Sequence, residues 1–220
     1  MKNFIKDKKQ LINKGYIIKK VEKKSSLEYI NRFFKKNILT SPYTDRNKIK
    51  KFSFNNLHKY IEIKDLNKVR LNLIHSMNKD NNFRKHFFIL AKETLFNMVG
   101  NELAMQNNIN LSIQFPDDVS SLLPLHADTW SGDSPFESVL WLPLVNCYKT
   151  KSMFILGQKK YPKFIKAFKN KKIKSVSHLY KTLKKDLRFI NINHGNFLLF
   201  NQSLPHGNVV NKTNETRISI

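Results

Sequence analysis

The hydrophobic positions divide the chain into two parts with different periods. Before about residue 110, apolar residues recur every three or four positions, which is typical of helices with one buried face. The motif Ser25-Ser-Leu-Glu28 has the spacing of a capping box, and Asp65 precedes a second apolar stripe, so each predicts a helix start. Three helices are therefore predicted, over residues 25–38, 65–78 and 83–99.

From about residue 110 the apolar runs become short and are separated by turn residues, which predicts strands. The number of strands fits a double-stranded β-helix, or jelly roll, so the expected fold class is α+β with N-terminal helices packed on that barrel. Pro143 cannot donate in a ladder, so its strand should bulge there or lie at an edge. The eight predicted strands are residues 111–115, 122–128, 137–145, 152–156, 188–193, 197–200, 206–210 and 215–220.

The chain is long enough for one structural domain with its own core. We expect residues 1–109 to form a helical support region and residues 110–220 to form the jelly-roll core. Within the core, residues of about 157–187 read as a basic helical insertion, which we interpret as a packed crossover in preference to a lid. Residues 1–24 alternate Lys with apolar residues, and we expect a fraying basic arm with a short strand.

The net charge of +24 raises the question of nucleic acid, because clustered basic residues supply its sequence-independent binding. Only 6 of the 40 basic residues are Arg, however, and readers of base edges favour the bidentate fork of Arg. The many Lys, Asn, Ile and Phe residues are typical of an AT-rich genome. We therefore expect no nucleic-acid partner.

Sequence features also bear on the compartment. There is no run of 18 uncharged apolar residues, so no membrane span is expected, and the N-terminus is too charged for a signal-peptide core. The single cysteine, Cys147, cannot form an internal disulfide, which agrees with a reducing compartment. We expect a cytoplasmic protein, and the oligomeric state stays open.

Candidate chemistry is concentrated in a His-x-Asp triplet, His126 and Asp128, which a second histidine, His206, follows far along the chain. Residues i and i+2 of an extended segment point the same way, so the triplet can offer two ligands to one ion. Such a triplet arises by chance roughly half a time in a chain of this composition, so ordinary turn or half-buried histidines are the alternative. With His206 and the later Arg217, the pattern favours the two-His-one-carboxylate site of non-haem Fe(II) oxygenases.

The order His-x-Asp, distal His and Arg217-Ile-Ser219 resembles the 2-oxoglutarate-dependent Fe(II) oxygenases. The resemblance is closer to oxygenases of sporadic bacterial carbohydrate gene clusters, which are distant relatives of the phytanoyl-CoA hydroxylase type, and it covers about residues 110–220. The chain lacks the Pro-Gly-Ser-His segment of the phytanoyl-type pattern. The resemblance is carried by His126-Ala-Asp-Thr-Trp-Ser-Gly-Asp-Ser-Pro-Phe-Glu137, Leu140-Trp-Leu-Pro-Leu144, Tyr148-Lys-Thr-Lys-Ser-Met153 and Phe200-Asn-Gln-Ser-Leu-Pro-His-Gly-Asn208.

Carried over residue by residue, the resemblance implies that His126, Asp128 and His206 hold Fe(II). It also implies that Arg217 and Ser219 bind the distal carboxylate of 2-oxoglutarate, with O2 as the second cosubstrate. A surface Arg at a strand end is the alternative for Arg217.

Six further residues are weaker candidates. Gln114 and Trp141 are candidates for the cosubstrate pocket, with a solvent-facing polar residue and a core aromatic as the respective alternatives. Four residues just past the iron-ligand strand would contact substrate, unless they form an ordinary polar turn. These rim candidates are Trp130, Ser131, Asp133 and Glu137.

The function expected is a 2-oxoglutarate- and Fe(II)-dependent oxygenase acting on a sugar or surface-polysaccharide precursor, such as a nucleotide sugar. The alternatives are a non-catalytic jelly-roll carbohydrate-binding module and a nucleic-acid-directed oxygenase. Because Ile220 directly follows Ser219, we also expect the natural sequence to continue, and the strand that carries Arg217 to fray at this end.

Overall fold

Helices precede most of the strands in the computed structural model, which describes residues 2–169 and 173–220. The architecture is mixed α and β, as expected. The helices are α1 Lys2–Lys14, α2 Lys24–Thr40, α3 Leu57–Tyr60, α4 Leu66–Lys79, α5 Asn81–Ile89, α6 Lys92–Met98, α7 Tyr161–Phe168 and α8 Val176–Leu183. The strands are β1 Tyr16–Lys20, β2 Ser112–Gln114, β3 Ser138–Trp141, β4 Phe154–Leu156, β5 Leu187–Phe189, β6 Asn196–Asn201, β7 His206–Gly207 and β8 Arg217–Ser219.

One large antiparallel surface is built from two ladders, β1-β6-β3 and β2-β8. They are joined because the chain beyond β3 leaves β6 and pairs with β8 instead. Leu142 and Ile220 exchange two main-chain hydrogen bonds, and Leu144 N donates to Ile218 O. Pro143 lies opposite Ser219 at this change of partner, where its missing N–H interrupts no ladder. The end of β8 is thus paired on both sides, unlike the frayed end that we expected.

The third ladder is β5-β4-β7, also antiparallel, and its register places Ile155 opposite His206. Two isolated bridges extend it, between Cys147 and Ile192 and between His126 and His206. The strand predicted over 122–128 is reduced to this last bridge. Pro124 offers no N–H to a neighbouring strand, which explains why regular pairing does not begin earlier.

The main hydrophobic core lies between the N-terminal helices and one face of the large surface. Helix α2 contributes Phe34, which is fully buried and meets Phe83 of α5 edge to face at 5.6 Å. From the sheet side, Ile113 and Ile218 are paired across β2 and β8 and are both fully buried. Truncating Phe34 to Ala would remove about 3–5 kcal/mol of stability, because a cavity would remain.

The N-terminal segment differs most from expectation. Instead of a fraying arm it forms α1, and the short strand that we expected is β1, which pairs with β6 over its whole length. The segment 1–109 therefore also contributes a strand. The capping box is absent as well, because α2 begins at Lys24 after an N-cap at Lys23 that makes no side-chain hydrogen bond. Asp65 likewise precedes α4 without a capping hydrogen bond.

The third predicted helix is broken into α5 and α6 at residues 90 and 91. Glu22, which follows β1, explains the break. Its main-chain N–H donates to Leu90 O, and its carboxylate accepts from the N–H groups of Glu93 and Thr94 at the start of α6. These bonds satisfy groups that a continuous helix would have bonded internally. Helices α7 and α8 lie within residues 157–187, of which residues 170–172 lie outside the described residues.

Candidate metal centre

Main-chain pairing brings the two histidines together. His126 N donates to His206 O at 2.9 Å, and His206 N donates to His126 O at 2.7 Å. Residues that exchange both bonds lie directly opposite each other, so their side chains emerge on one face. Asp128 follows two positions later, opens a 3-10 turn over Asp128–Ser131, and is held by a bond from its N–H to Gln202 O. Two chain segments thus present three ligand side chains.

The three side chains form a compact triad. Asp128 Oδ1 lies 3.6 Å from His126 Nε2 and 3.7 Å from His206 Nε2, and one ligand atom from each residue lies within 4.8 Å of the others. Ligand atoms about 2.1 Å from one ion and at right angles to it are about 3.0 Å apart. The two distances from Asp128 Oδ1 exceed this separation by about 0.6–0.7 Å, so the triad could hold a divalent metal once its side chains close on the ion.

Both imidazoles are already oriented for metal binding. His126 Nδ1 lies 2.8 Å from Pro124 O, and His206 Nδ1 lies 2.8 Å from Leu204 O. A carbonyl only accepts, so each Nδ1 carries the proton and each Nε2 lone pair is free to bind an ion. Burial, followed by the nearby His126, lowers the pKa of His206 to about 4, so this ligand is neutral at neutral pH.

The carboxylate of Asp128 is poised to gain from a cation. Burial is the main cause that raises its pKa, the charges of Asp133 and Glu137 raise it further, and His126 opposes them. Burial and the two neighbouring carboxylates together outweigh His126, so the net effect disfavours an isolated anion at this place. A divalent ion would reverse the balance, because it would be the largest local charge.

Gly207 allows the two metal-ligand segments to approach. A Cβ built on it would lie 2.7 Å from Leu123 O, 2.8 Å from Pro124 O and 2.9 Å from the Phe154 ring. Real Cβ atoms do not come so close to main-chain oxygens, so any other residue would push the 123–126 segment away from β7. Gly207 thereby controls the separation of the histidines.

Arg217 is the second unusual group. It is fully buried, its Nη2 donates to Ser112 Oγ at 2.8 Å, and its Nε has no hydrogen-bond partner. No carboxylate of residues 2–169 or 173–220 pairs with it. Burial lowers the pKa of its guanidinium to about 10, which shows how poorly the charge is compensated. A buried cation without a counter-charge and with a free N–H donor can bind an anion.

Polar residues surround this guanidinium on one face of β2 and β8. Gln114 is opposite Arg217, and Ser112 is opposite Ser219, so the four side chains point the same way. The Ser219 hydroxyl and Gln114 Oε1 are buried without partners, whereas Gln114 Nε2 donates to Val209 O, three residues after His206. This face can therefore bind a polar ligand.

Trp141 lies in the neighbouring strand, opposite Leu198, and is partly buried against the core. By strand alternation its side chain shares a face with Pro143, which is opposite Ser219. Alternation along this strand would place the Trp141 side chain on the side of the sheet that carries Arg217.

No protein-family model matches the chain, and no curated protein sequence matches it. Solved structures do. EctD from S. alaskensis in its apoform has a TM-score of 0.61 at 12% identity, over 97% of this chain and 74% of that one. EvdMO1 has a TM-score of 0.62 at 13% identity, over 98% of this chain and 49% of that one. HygX from Streptomyces hygroscopicus, with nickel and 2-oxoglutarate bound, has 0.53 at 12%, over 97% and 83%.

The non-heme alpha ketoglutarate dependent carbocyclase SnoK from nogalamycin biosynthesis has a TM-score of 0.52 at 10% identity, over 97% of this chain and 80% of that one. The fold is that of these oxygenases. EctD has also been solved with bound Fe, and HygX holds nickel together with 2-oxoglutarate. The chain spans about half the length of EvdMO1 and about three quarters of EctD. At these identities the likeness concerns the fold alone.

The rim candidates follow Asp128 in the chain, within the 3-10 turn and the segment that leads into β3. Ser131, Asp133 and Glu137 are exposed, and Trp130 is partly exposed. The Trp130 ring stacks on Phe164 at 5.7 Å and on Phe168 at 5.5 Å. Helix α7 of the basic insertion thus packs on the turn that begins with Asp128.

Sequence reasoning assigned no role to several residues of this region. Phe164 and Phe168 were recognisable as one helix face, but no sequence signal linked them to Trp130, more than 30 positions earlier. Gly207 stood inside a motif without a stated reason. Lys151 and Glu215, described below, were indistinguishable from many other charged residues.

Proposed function

We propose that this chain is a 2-oxoglutarate- and Fe(II)-dependent oxygenase. The observation that carries the proposal is the buried, unpaired guanidinium of Arg217, with an unpartnered hydroxyl two residues on at Ser219. A triad alone would suit many metal proteins. A triad combined with a buried site for a carboxylate fits a metal enzyme that uses an acidic cosubstrate.

His126, Asp128 and His206 would hold Fe(II), since two neutral imidazoles and one carboxylate cover one face of the ion and leave positions open. Bound there with 2-oxoglutarate and O2, iron supplies an oxidant for unreactive C–H bonds, and succinate and CO2 are released. The chain itself orients the histidines through the Pro124 and Leu204 carbonyls. It also shields His206, the ligand on β7, from bulk water, because that side chain is buried.

Arg217 and Ser219 would bind the distal carboxylate of 2-oxoglutarate. The guanidinium offers its free Nε–H, and the hydroxyl adds a second donor. Gln114 would act beside them by holding Val209, and Trp141 would form an apolar wall on the same side of the sheet. The lowered pKa of Arg217 still leaves it charged at neutral pH, as this role needs.

The two ladders fit a jelly roll whose polar interior contains these groups. In this proposal, residues 110–220 form the catalytic core with the insertion at about 157–187, and residues 1–109 support it. The core cluster on the outer face of β2 and β8 favours this arrangement, because the opposite face of the same strands is polar.

The substrate that we propose is a sugar or surface-polysaccharide precursor, and its support is the sequence resemblance. The rim offers a partly exposed Trp130 ring, the Ser131 hydroxyl and the carboxylates of Asp133 and Glu137 as contacts. Trp130 supplies a flat apolar surface, and the other three supply hydrogen bonds. The cytoplasmic, reducing compartment inferred from Cys147 stays a prediction. Among the described residues, no helix is long and apolar enough to cross a membrane.

The test is cosubstrate turnover. Iron-dependent succinate release is measured with a panel of nucleotide sugars, for the natural chain, for Asp128→Ala and for His75→Ala. His75 is an exposed histidine of α4 and serves as the matched control. We expect release in the natural chain and the control, and none in Asp128→Ala. Unchanged turnover in Asp128→Ala would remove the triad from the mechanism, and failure of the chain to bind 2-oxoglutarate would end the proposal.

A further inference from the structure

Lys151 is a completely buried lysine in a chain whose other lysines are mostly solvated. Its Nζ lies 2.6 Å from Glu215 Oε2 and 2.7 Å from Asn55 Oδ1. The three residues come from separate segments: a 3-10 turn before β4, a second 3-10 turn before α3 and the residues that lead into β8. The ammonium group of Lys151 therefore joins the helical region to the segments that precede β4 and β8.

Tyr148 completes the surroundings of the ion pair. Its hydroxyl donates to Glu215 Oε2 at 3.1 Å, and its ring lies 5.5 Å below Lys151 Nζ. Glu215 remains partly exposed, at 37% of its side chain. Its pKa is lowered, with the hydrogen bond from Lys151 as the first cause. Both charges are thus satisfied where they lie.

The next residue, Thr216, is fixed by the same helical region. Its N–H donates to Asn55 O at 2.7 Å, and its hydroxyl contacts His58 N at 3.2 Å and His58 Nδ1 at 2.9 Å. Asn55 therefore binds Lys151 through its side chain and Thr216 through its carbonyl. Arg217 follows directly, so the position of its Cα depends on these contacts.

Stability does not explain why a charged residue stands at position 151. A buried ion pair replaced by apolar residues of similar volume is often neutral or more stable. The pair does have a consequence for charge: within the described residues, Lys151 is neutralised by Glu215, while Arg217 has no acid. The carboxylate closest to Arg217 in sequence is engaged elsewhere, and the guanidinium stays available.

We propose that Lys151 is a positioning residue that, through Glu215 and Asn55, fixes the start of β8 so that Arg217 can meet the distal carboxylate of 2-oxoglutarate. This inference rests on the proposed function. Carboxylate binding by guanidinium depends on aligned donors, so a small displacement of β8 weakens it. The metal triad lies on other segments and should not respond.

The experiment compares two affinities in each variant, that of the chain for Fe(II) without oxygen and that of the Fe(II)-loaded chain for 2-oxoglutarate. Lys151→Met removes the ammonium at similar length. Glu215→Gln removes the charge of the partner but keeps an amide oxygen that can accept from the buried ammonium, so survival of the fold is the expectation even if Lys151→Met unfolds. Lys212→Met is the control, because Lys212 forms a 2.6 Å pair with Asp117 that is exposed on both sides.

We expect both test variants to bind 2-oxoglutarate about tenfold more weakly, with unchanged Fe(II) affinity and with KM for 2-oxoglutarate raised while kcat at saturation is kept. The control should match the natural chain. Unchanged 2-oxoglutarate affinity in a folded variant would overturn the inference, and so would an equal loss of Fe(II) affinity, which indicates general loosening. A natural chain that binds Fe(II) but not 2-oxoglutarate would contradict the proposed function itself.

Discussion

Replacing Arg217 by Met should make the metal-free protein more stable while it weakens the binding of 2-oxoglutarate. A pKa lowered from 12.5 to about 10 by burial corresponds to about 3 kcal/mol of destabilisation by the charged group. The folded-state pKa lies below the unfolded one, so this penalty is complete at neutral pH and is relieved only as the pH rises through about 10. Losing the hydrogen bond to Ser112 costs about 1 kcal/mol, which leaves a net gain of about 2 kcal/mol.

That gain corresponds to a rise of about 4–8 °C in the unfolding temperature of a chain of this size. Removing one partner of a buried charged contact costs at least about 2 kcal/mol of binding, so 2-oxoglutarate affinity should fall at least about thirtyfold. Scanning calorimetry without metal or ligand measures the first quantity, and titration of the Fe(II)-loaded protein measures the second. Arg188→Met, at an exposed position of β5, is the matched control and should change neither.

Replacement of Arg217 should thus raise the unfolding temperature and lower the affinity for 2-oxoglutarate. If Arg217 were a structural residue whose charge and donors are all paired within the fold, its replacement would destabilise the protein and would leave 2-oxoglutarate binding unchanged. A clearly lower unfolding temperature for Arg217→Met, or 2-oxoglutarate affinity equal to that of the natural chain, would therefore refute the interpretation of Arg217 as an anion site.

Four further predictions concern other parts of the molecule. Asp128→Asn should lower Fe(II) affinity at least tenfold in anaerobic titration with little change in unfolding temperature, because one charged ligand is lost. Gly207→Ala should cost about 1–3 kcal/mol in stability and weaken Fe(II) binding, since its methyl group would displace the segment that carries His126. Because the pKa of Glu215 is lowered in the folded state, its ion pair with Lys151 stabilises the fold above about pH 4.5, and this contribution is lost as the pH falls further. The difference in unfolding temperature between the natural chain and Glu215→Gln should therefore shrink in acid. Finally, fluorescence anisotropy with labelled duplex DNA at physiological salt should show no tight binding; submicromolar affinity that falls steeply with salt would contradict our interpretation of the charge.

The candidate site was more predictable than the contacts that hold it. Two-residue spacing in an extended segment is a local rule, so His126 and Asp128 could be proposed as a ligand pair from the sequence, and the family resemblance implied Arg217 and Ser219. Lys151 could not, because nothing in sequence separates one buried lysine from the many solvated ones. Its partners lie 96 and 64 positions away in the chain. Only the fold brings such residues together.

The same distinction applies to the secondary structure. Helices α2 and α4 follow from apolar stripes, which are visible within each segment. The break between α5 and α6 does not, because Glu22 causes it from about 70 positions upstream. β1 was underestimated for a related reason: its lysines suggested an arm, and its pairing with β6 supplies the stability that the local sequence lacks.

The pairing of β1 with β6 has a consequence for biogenesis. Tyr16 is opposite Phe200, so β1 cannot pair until the ribosome has made more than 170 further residues and reached β6. Such non-local pairing slows folding and leaves strand edges uncovered in the meantime. During synthesis the N-terminal helices can gather early around their aromatic residues, but the large sheet that carries Arg217 cannot close before β6 and β8 have been made. Until then the unpaired edge of β1 is a surface to which chaperones can bind.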